Sequence, residues 1–146
     1  MRPARARPLA APRSRWDVLL VISAGGALGS LARWSLGELL PWSGEGFPWA
    51  TFAANVSGAA LIGLLMVPAL DVWPSRRYLR PFLAIGLLGG YTTFSTSMLE
   101  TNDLLAAGDV ALATGYLAGT LGAGLLAVWL GSVVARFAVR LHRRGS

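Results

Sequence analysis

Four long apolar runs separated by short polar stretches set the pattern of this chain. They cover about Val18 to Leu40, Pro48 to Leu70, Pro81 to Leu99 and Val110 to Ala135. Each holds the roughly 20 residues a helix needs to cross a hydrocarbon core about 30 Å thick. Arg33 and Glu38 are the only charged residues inside these runs. Short connections predict a compact antiparallel bundle of four transmembrane helices, an all-α membrane protein. Trp16, Trp42, Trp49, Trp73 and Tyr78 fall at or near run ends, where interfacial aromatics sit. The spans are expected to form one transmembrane domain over residues 16–138, between a disordered basic tail at 1–15 and a basic tail at 139–146.

The third run departs from this simple pattern. From Gly86 to Glu100 it reads Gly-Leu-Leu-Gly-Gly-Tyr-Thr-Thr-Phe-Ser-Thr-Ser-Met-Leu-Glu, with five hydroxyls between Thr92 and Ser97. A hydroxyl in hydrocarbon is costly unless it finds a partner, and Ser or Thr in a helix can return to the carbonyl one turn back. Paired glycines followed by paired β-branched threonines make a poor helix interior, so the helix is expected to break near Gly89 to Thr93. Broken membrane helices persist where their freed backbone groups are buried in protein or line a cavity. Small residues also recur at helical spacing, in Gly25/Gly29, Ala59/Gly63, Gly86/Gly90, Gly115/Gly119 and Thr120/Gly124. Such faces let helix backbones approach closely, some within one subunit and the remainder between subunits.

Composition narrows the class. With 146 residues, 54% of them hydrophobic, 14% charged and a mean hydropathy of +0.54, the chain is one integral membrane domain. Cysteine is absent, which removes disulfides, thiolate nucleophiles and cysteine metal sites. The single histidine, His142, reads as a solvated tail residue. A net charge of +6 comes from arginine alone; since the arginines flank apolar spans, they speak for membrane topology rather than nucleic acid. The N-terminal tail, the second connection and the C-terminal end hold twelve of the 13 basic residues, whereas the first and third connections hold none. Both termini and the second connection are therefore expected on the cytoplasmic side of the cell membrane. A signal peptide over Val18 to Ala24 is the competing reading, but it leaves one span too few. No nucleophile, metal cluster or cofactor loop speaks for an enzyme.

Two residues inside the spans invite chemistry. A charge such as Arg33 costs about 2.5 to 3.5 kcal/mol at mid-span on insertion scales. It either snorkels to the outer headgroups near Glu38 or sits at the mouth of an anion path, where it raises local anion concentration. Asn55 offers two amide donors, either as glue between helices or to a passing anion.

Gly89-Gly90-Tyr91-Thr92-Thr93-Phe94-Ser95-Thr96, followed by Glu100, resembles the third-helix signature of the CrcB (Fluc) fluoride channels. Gly25 to Trp34 resembles the first-helix motif and Thr51 to Gly58 the second, while Tyr116 and Thr120 fall where the fourth helix carries a tyrosine and hydroxyls. The resemblance covers roughly residues 18–135 and implies a passive fluoride exporter built from two antiparallel subunits. It implies an ion pathway through Arg33, Asn55, Phe94, Ser95, Thr96, Ser97, Tyr116 and Thr120. Fluoride holds its water tightly, so such a path must replace the hydration shell with neutral donors that still release the ion. Phe94 matches the first of two pore phenylalanines, whose ring edges can face an anion; as an alternative it only packs. Ser97 stands where the family has the second, and Gly124 where a further hydroxyl is expected. Gly89 and Thr92 match positions whose carbonyls, from both subunits, hold a structural Na+. The second subunit is then another copy or a paralogous chain of opposite orientation. Two other classes stay open: a small proton-coupled exporter, which wants a mid-membrane carboxylate that the last three runs lack, and a non-conducting subunit that completes a partner's channel.

Overall fold

The computed structural model describes residues 15–71 and 77–144, and only the backbone at 68–71 and 142–144. The expected disorder of residues 1–14, the interfacial role of Trp73, the loop charge of Arg76 and the His142 side chain lie outside the described residues. The elements are α1 (Trp16–Leu39), α2 (Trp49–Asp71), a π-helical segment (Pro81–Leu87) running into α3 (Leu88–Tyr91), α4 (Ser95–Ala106) and α5 (Val110–Arg144). Four stretches are long and apolar enough to cross a membrane: Trp16–Leu39, Trp49–Val67, Pro81–Ala106 and Val110–Leu141. The chain is an all-helical, multi-pass membrane protein, with no strand among the described residues.

Small residues decide which spans touch. α1 runs parallel to the first half of the third span: a side chain at Gly25 would meet the Phe82 carbonyl at 2.5 Å, and one at Gly29 would overlap the Leu87 carbonyl. α2 runs parallel to α5 in the same manner, with Gly63 against Val128 and Gly131 against Ala60. α2 is antiparallel to the third span, because Thr51, Asn55 and Gly58 meet Glu100, Ser97 and Thr92 in turn. At one end of the bundle Asp17 ties the start of α1 to the start of the third span. Its carboxylate accepts the Tyr78 hydroxyl at 2.6 Å and pairs with Arg77 at 3.3 Å. At the other end Phe47 stacks edge-on against Tyr116, ring centroids 5.3 Å apart, so the first connection folds over the bundle. Gly108 turns the chain with φ +84°, and Asp109 caps α5 by accepting the Leu112 amide at 3.1 Å.

Four features differ from the sequence pattern. The third helix stays helical through Tyr91 and is interrupted at Thr92 to Phe94, within and just beyond the expected stretch. α4 then continues to Ala106, which puts Glu100 inside a helix rather than past its end. α5 continues to Arg144, so residues 139–144 of the basic tail are helical; between Gly131 and Gly145 there is no glycine or proline to end the helix. The π-helical winding of Pro81–Leu87 has no signal in the hydrophobic periodicity.

Candidate functional site

Ending a helix in mid-membrane strands amides and carbonyls, each of which needs a partner. Here α2 supplies it. Asn55 Oδ1 accepts the Thr93 amide at 2.8 Å, and Asn55 Nδ2 donates to the Thr93 carbonyl and to Ser97 Oγ, both at 2.9 Å. Because the Thr93 amide turns to Asn55, the helical bond it would make to the Gly89 carbonyl is not formed. The Gly90 carbonyl, whose helical partner would be the Phe94 amide, accepts instead from Arg33 Nε at 3.2 Å. Thr93 Oγ1 accepts the Thr96 amide at 3.2 Å and starts the next helix. Thr92 returns its hydroxyl to the Leu88 carbonyl at 2.8 Å, closing the last turn before the interruption.

A second polar centre lies one turn beyond. Glu100 is buried and accepts Thr51 Oγ1 on one carboxylate oxygen and the Tyr116 hydroxyl on the other, each at 2.6 Å. These short bonds join α2, α4 and α5 through a single carboxylate. No buried side-chain polar atom among the described residues lacks a partner.

Two cavities flank the interruption. One, of about 430 Å³, is an open groove on the outside of the subunit lined by Asn55, Thr92, Thr93, Phe94, Thr120 and apolar residues of α2 and α5. The other, of about 300 Å³, lies at the Arg33 end and is lined by Arg33, Glu38, Thr51, Thr96, Glu100 and Trp42 among others. Thr93 lines the first and Thr96 the second, and their hydroxyl oxygens are 3.0 Å apart. A single pair of hydrogen-bonded hydroxyls thus stands between a wall of one cavity and a wall of the other.

The residues singled out from the sequence do not all share one surface. Asn55, Phe94 and Thr120 line the groove, with Phe94 71% exposed. Arg33 and Thr96 line the other cavity, and Arg33 caps a freed carbonyl besides facing that mouth. Ser95 is exposed, 3.3 Å from the Thr93 hydroxyl. Ser97 and Tyr116 are buried, at 3% and 0% exposure, and their hydroxyls serve Asn55, Thr93 and Glu100 rather than either cavity wall. Gly89 has open space beside it. Sequence reasoning left Glu100 without a role and passed over Thr51. The available signal was the carboxylate itself, for a buried acid demands donors, and Thr51 and Tyr116 were the hydroxyls within reach of that end.

A four-span bundle with a broken helix whose polar groups face two cavities beside the break has the architecture of a membrane transport protein. The profile of the CrcB-like protein, Camphor Resistance (CrcB) family matches residues 20–132, and the chain belongs to that family. Among its relatives, the fluoride-specific ion channel FluC 2 of Nocardia farcinica is 48% identical over 142 residues, 97% of this chain and 98% of the relative. FluC 1 of Streptomyces coelicolor is 42% identical over 139 residues, 92% and 90% of the two chains. FluC of Chlorobaculum tepidum is 42% identical over 118 residues, 81% and 94%.

Proposed function

We propose that this chain is a subunit of a fluoride-selective channel that lets cytoplasmic fluoride leave passively; its relatives are named fluoride-specific ion channels. The observation that carries the reading is the hydroxyl contact between Thr93, which lines the groove beside Asn55, and Thr96, which lines the Arg33 cavity; in this reading the ion passes from one cavity to the other across that pair. Arg33 at one mouth draws anions in, and Thr96, Ser95, Thr93 and Thr120 offer rotatable hydroxyl donors along the way. Asn55 exchanges its bond to Ser97 for one to fluoride; Ser97 keeps its own contact with the Thr93 carbonyl, 3.3 Å away, while the amide hydrogen is lent out. Phe94, exposed in the groove, presents its ring to the ion. Tyr116 and Ser97 act from behind, holding Glu100 and Asn55.

The groove is open along one side, which supports a second subunit as its missing wall. That subunit is antiparallel in this reading. A hard cation such as Na+ takes oxygen donors, and the released Gly89 carbonyl with the neighbouring Thr92 carbonyl is suited to hold one between subunits; bound there, it would neutralise backbone dipoles that the break exposes. A second reading, a non-conducting partner subunit, is favoured by Asn55 having both amide hydrogens engaged within the chain. Fluoride efflux from liposomes holding this chain, alone and with an oppositely oriented paralogue, decides between them: selective efflux that Asn55→Asp in this chain suppresses supports the channel, and efflux that this substitution leaves unchanged supports the partner subunit.

A further inference from the structure

The cytoplasm-facing or periplasm-facing assignment of α5 does not affect what its last three turns present. Gly63 packs between Val128 and Ser132, and Gly131 between Ala60 and Leu64, which sets Leu70, the last apolar residue of the second run, level with about Ala138 of α5. α5 nevertheless runs on to Arg144, about 9 Å further at 1.5 Å per residue. The interfacial layer of a leaflet is roughly 5 to 8 Å deep, so Arg140 falls inside it and Arg136, one turn back, reaches it with its long side chain. They are four residues apart, hence on one face of the helix, and both are exposed. Neither forms an ion pair or hydrogen bond among the described residues, whereas Arg77 at the same end is held by Asp17. Beside them the exposed apolar stripe of α5 continues through Val134 (57%), Phe137 (64%) and Leu141 (53%).

We propose that this end of α5 is a binding surface for an anionic phospholipid, with Arg136 and Arg140 taking the phosphate headgroup and Phe137 and Leu141 lying along the acyl chain. The occupant follows from chemistry at that depth. A guanidinium fork matches two phosphate oxygens, and an apolar ring adjoining it excludes water from one side only, as a lipid at the interface requires. A soluble anion would have no use for Phe137 and Leu141, and a zwitterionic lipid returns a cation to the same place. Membrane topology alone needs positive charge near this end but not two arginines in register beside an aromatic. The inference does not rest on fluoride conduction.

Full-length protein, purified in mild detergent, is titrated with phosphatidylglycerol or phosphatidylcholine of identical chains, and bound lipids are counted by native mass spectrometry. Phosphatidylglycerol is expected to bind preferentially. Arg136→Gln with Arg140→Gln should weaken it about thirtyfold, roughly fivefold per arginine, while phosphatidylcholine binding and thermal unfolding stay unchanged. Arg136→Lys with Arg140→Lys, which keeps the charge, should retain most of the preference and guards against a glutamine variant that folds poorly. Equal binding of the two lipids by the parent chain would overturn the proposal. So would a glutamine variant that keeps its preference, or one that loses a dimer instead of lipid, which would reassign the arginines to a contact with a second copy.

Discussion

Asn55 has two donors and an acceptor directed at the interrupted helix, and all are used within the chain. That makes the residue a brace, and this role and the proposed one of anion donor predict different losses. Asn55→Asp keeps the acceptor for the Thr93 amide, removes both donors and places a negative charge on the path. Fluoride flux should fall roughly ten- to a hundredfold, the equivalent of one hydrogen bond to a charged partner. Thermal stability should drop by about 1 to 3 kcal/mol for the unpaired groups. A stability loss with unchanged flux would leave Asn55 as a brace only. At Glu100, Tyr116→Phe deletes one of the two hydroxyls that the buried carboxylate accepts. Destabilisation of about 1 to 3 kcal/mol is expected in thermal unfolding, and an unchanged melting temperature would show that the carboxylate finds another donor.

At the scale of elements, the glycine faces separate into two kinds. Those of α1 and the third span meet backbone inside the subunit, whereas Gly115, Gly119 and Gly124 on α5 have nothing within 4 Å. Gly29→Ala should therefore cost about 1 to 3 kcal/mol or more by overpacking against the Leu87 carbonyl. Gly119→Ala should leave the isolated subunit unaffected and shift only a subunit equilibrium; unfolding of the Gly119 variant would count against that separation. The break itself makes a further prediction. With Na+ at the Gly89 and Thr92 carbonyls, the melting temperature of the assembled protein rises with Na+ and not with K+ at equal ionic strength. An identical response to both cations would mean that the released carbonyls meet water or the partner chain instead.

For the whole molecule, charge asymmetry carries the prediction about assembly. Twelve of the 13 basic residues belong to the N-terminal tail, the second connection and the C-terminal end, and a bias of this kind predicts a single orientation. A reporter fused at Ser146 should be active only when it is a cytoplasmic one. If the proposed pair is antiparallel, a second chain with the opposite bias is expected, and Ser97 in place of a pore phenylalanine would then be a division of labour between unlike subunits. Co-expression with an oppositely biased paralogue should rescue efflux if the chain alone is inactive. A stable, conducting dimer of this chain alone would refute the paired arrangement.

Much of this was legible in the sequence, because burial in lipid imposes length and apolarity on every span. That constraint alone yields the number of helices, their approximate bounds and the oddity of hydroxyls at Thr92 to Ser97, and the motif order points to the family. The residue types at the site were legible for the same reason: polar groups in an apolar run stand out. Their partners were not. Which hydroxyl faces a cavity and which is buried depends on the antiparallel register of α2 against the third span, set by contacts such as Gly58 with Thr92 that lie 34 residues apart in sequence. So the tertiary structure alone turned Ser97 and Tyr116 inward, gave Glu100 its two donors, moved the interruption to Thr92 to Phe94 and carried Arg33 to the Gly90 carbonyl. Hydrophobicity acts on each residue separately and survives in the linear sequence; hydrogen-bond satisfaction is a pairwise demand, and the pairs exist only once the helices have packed.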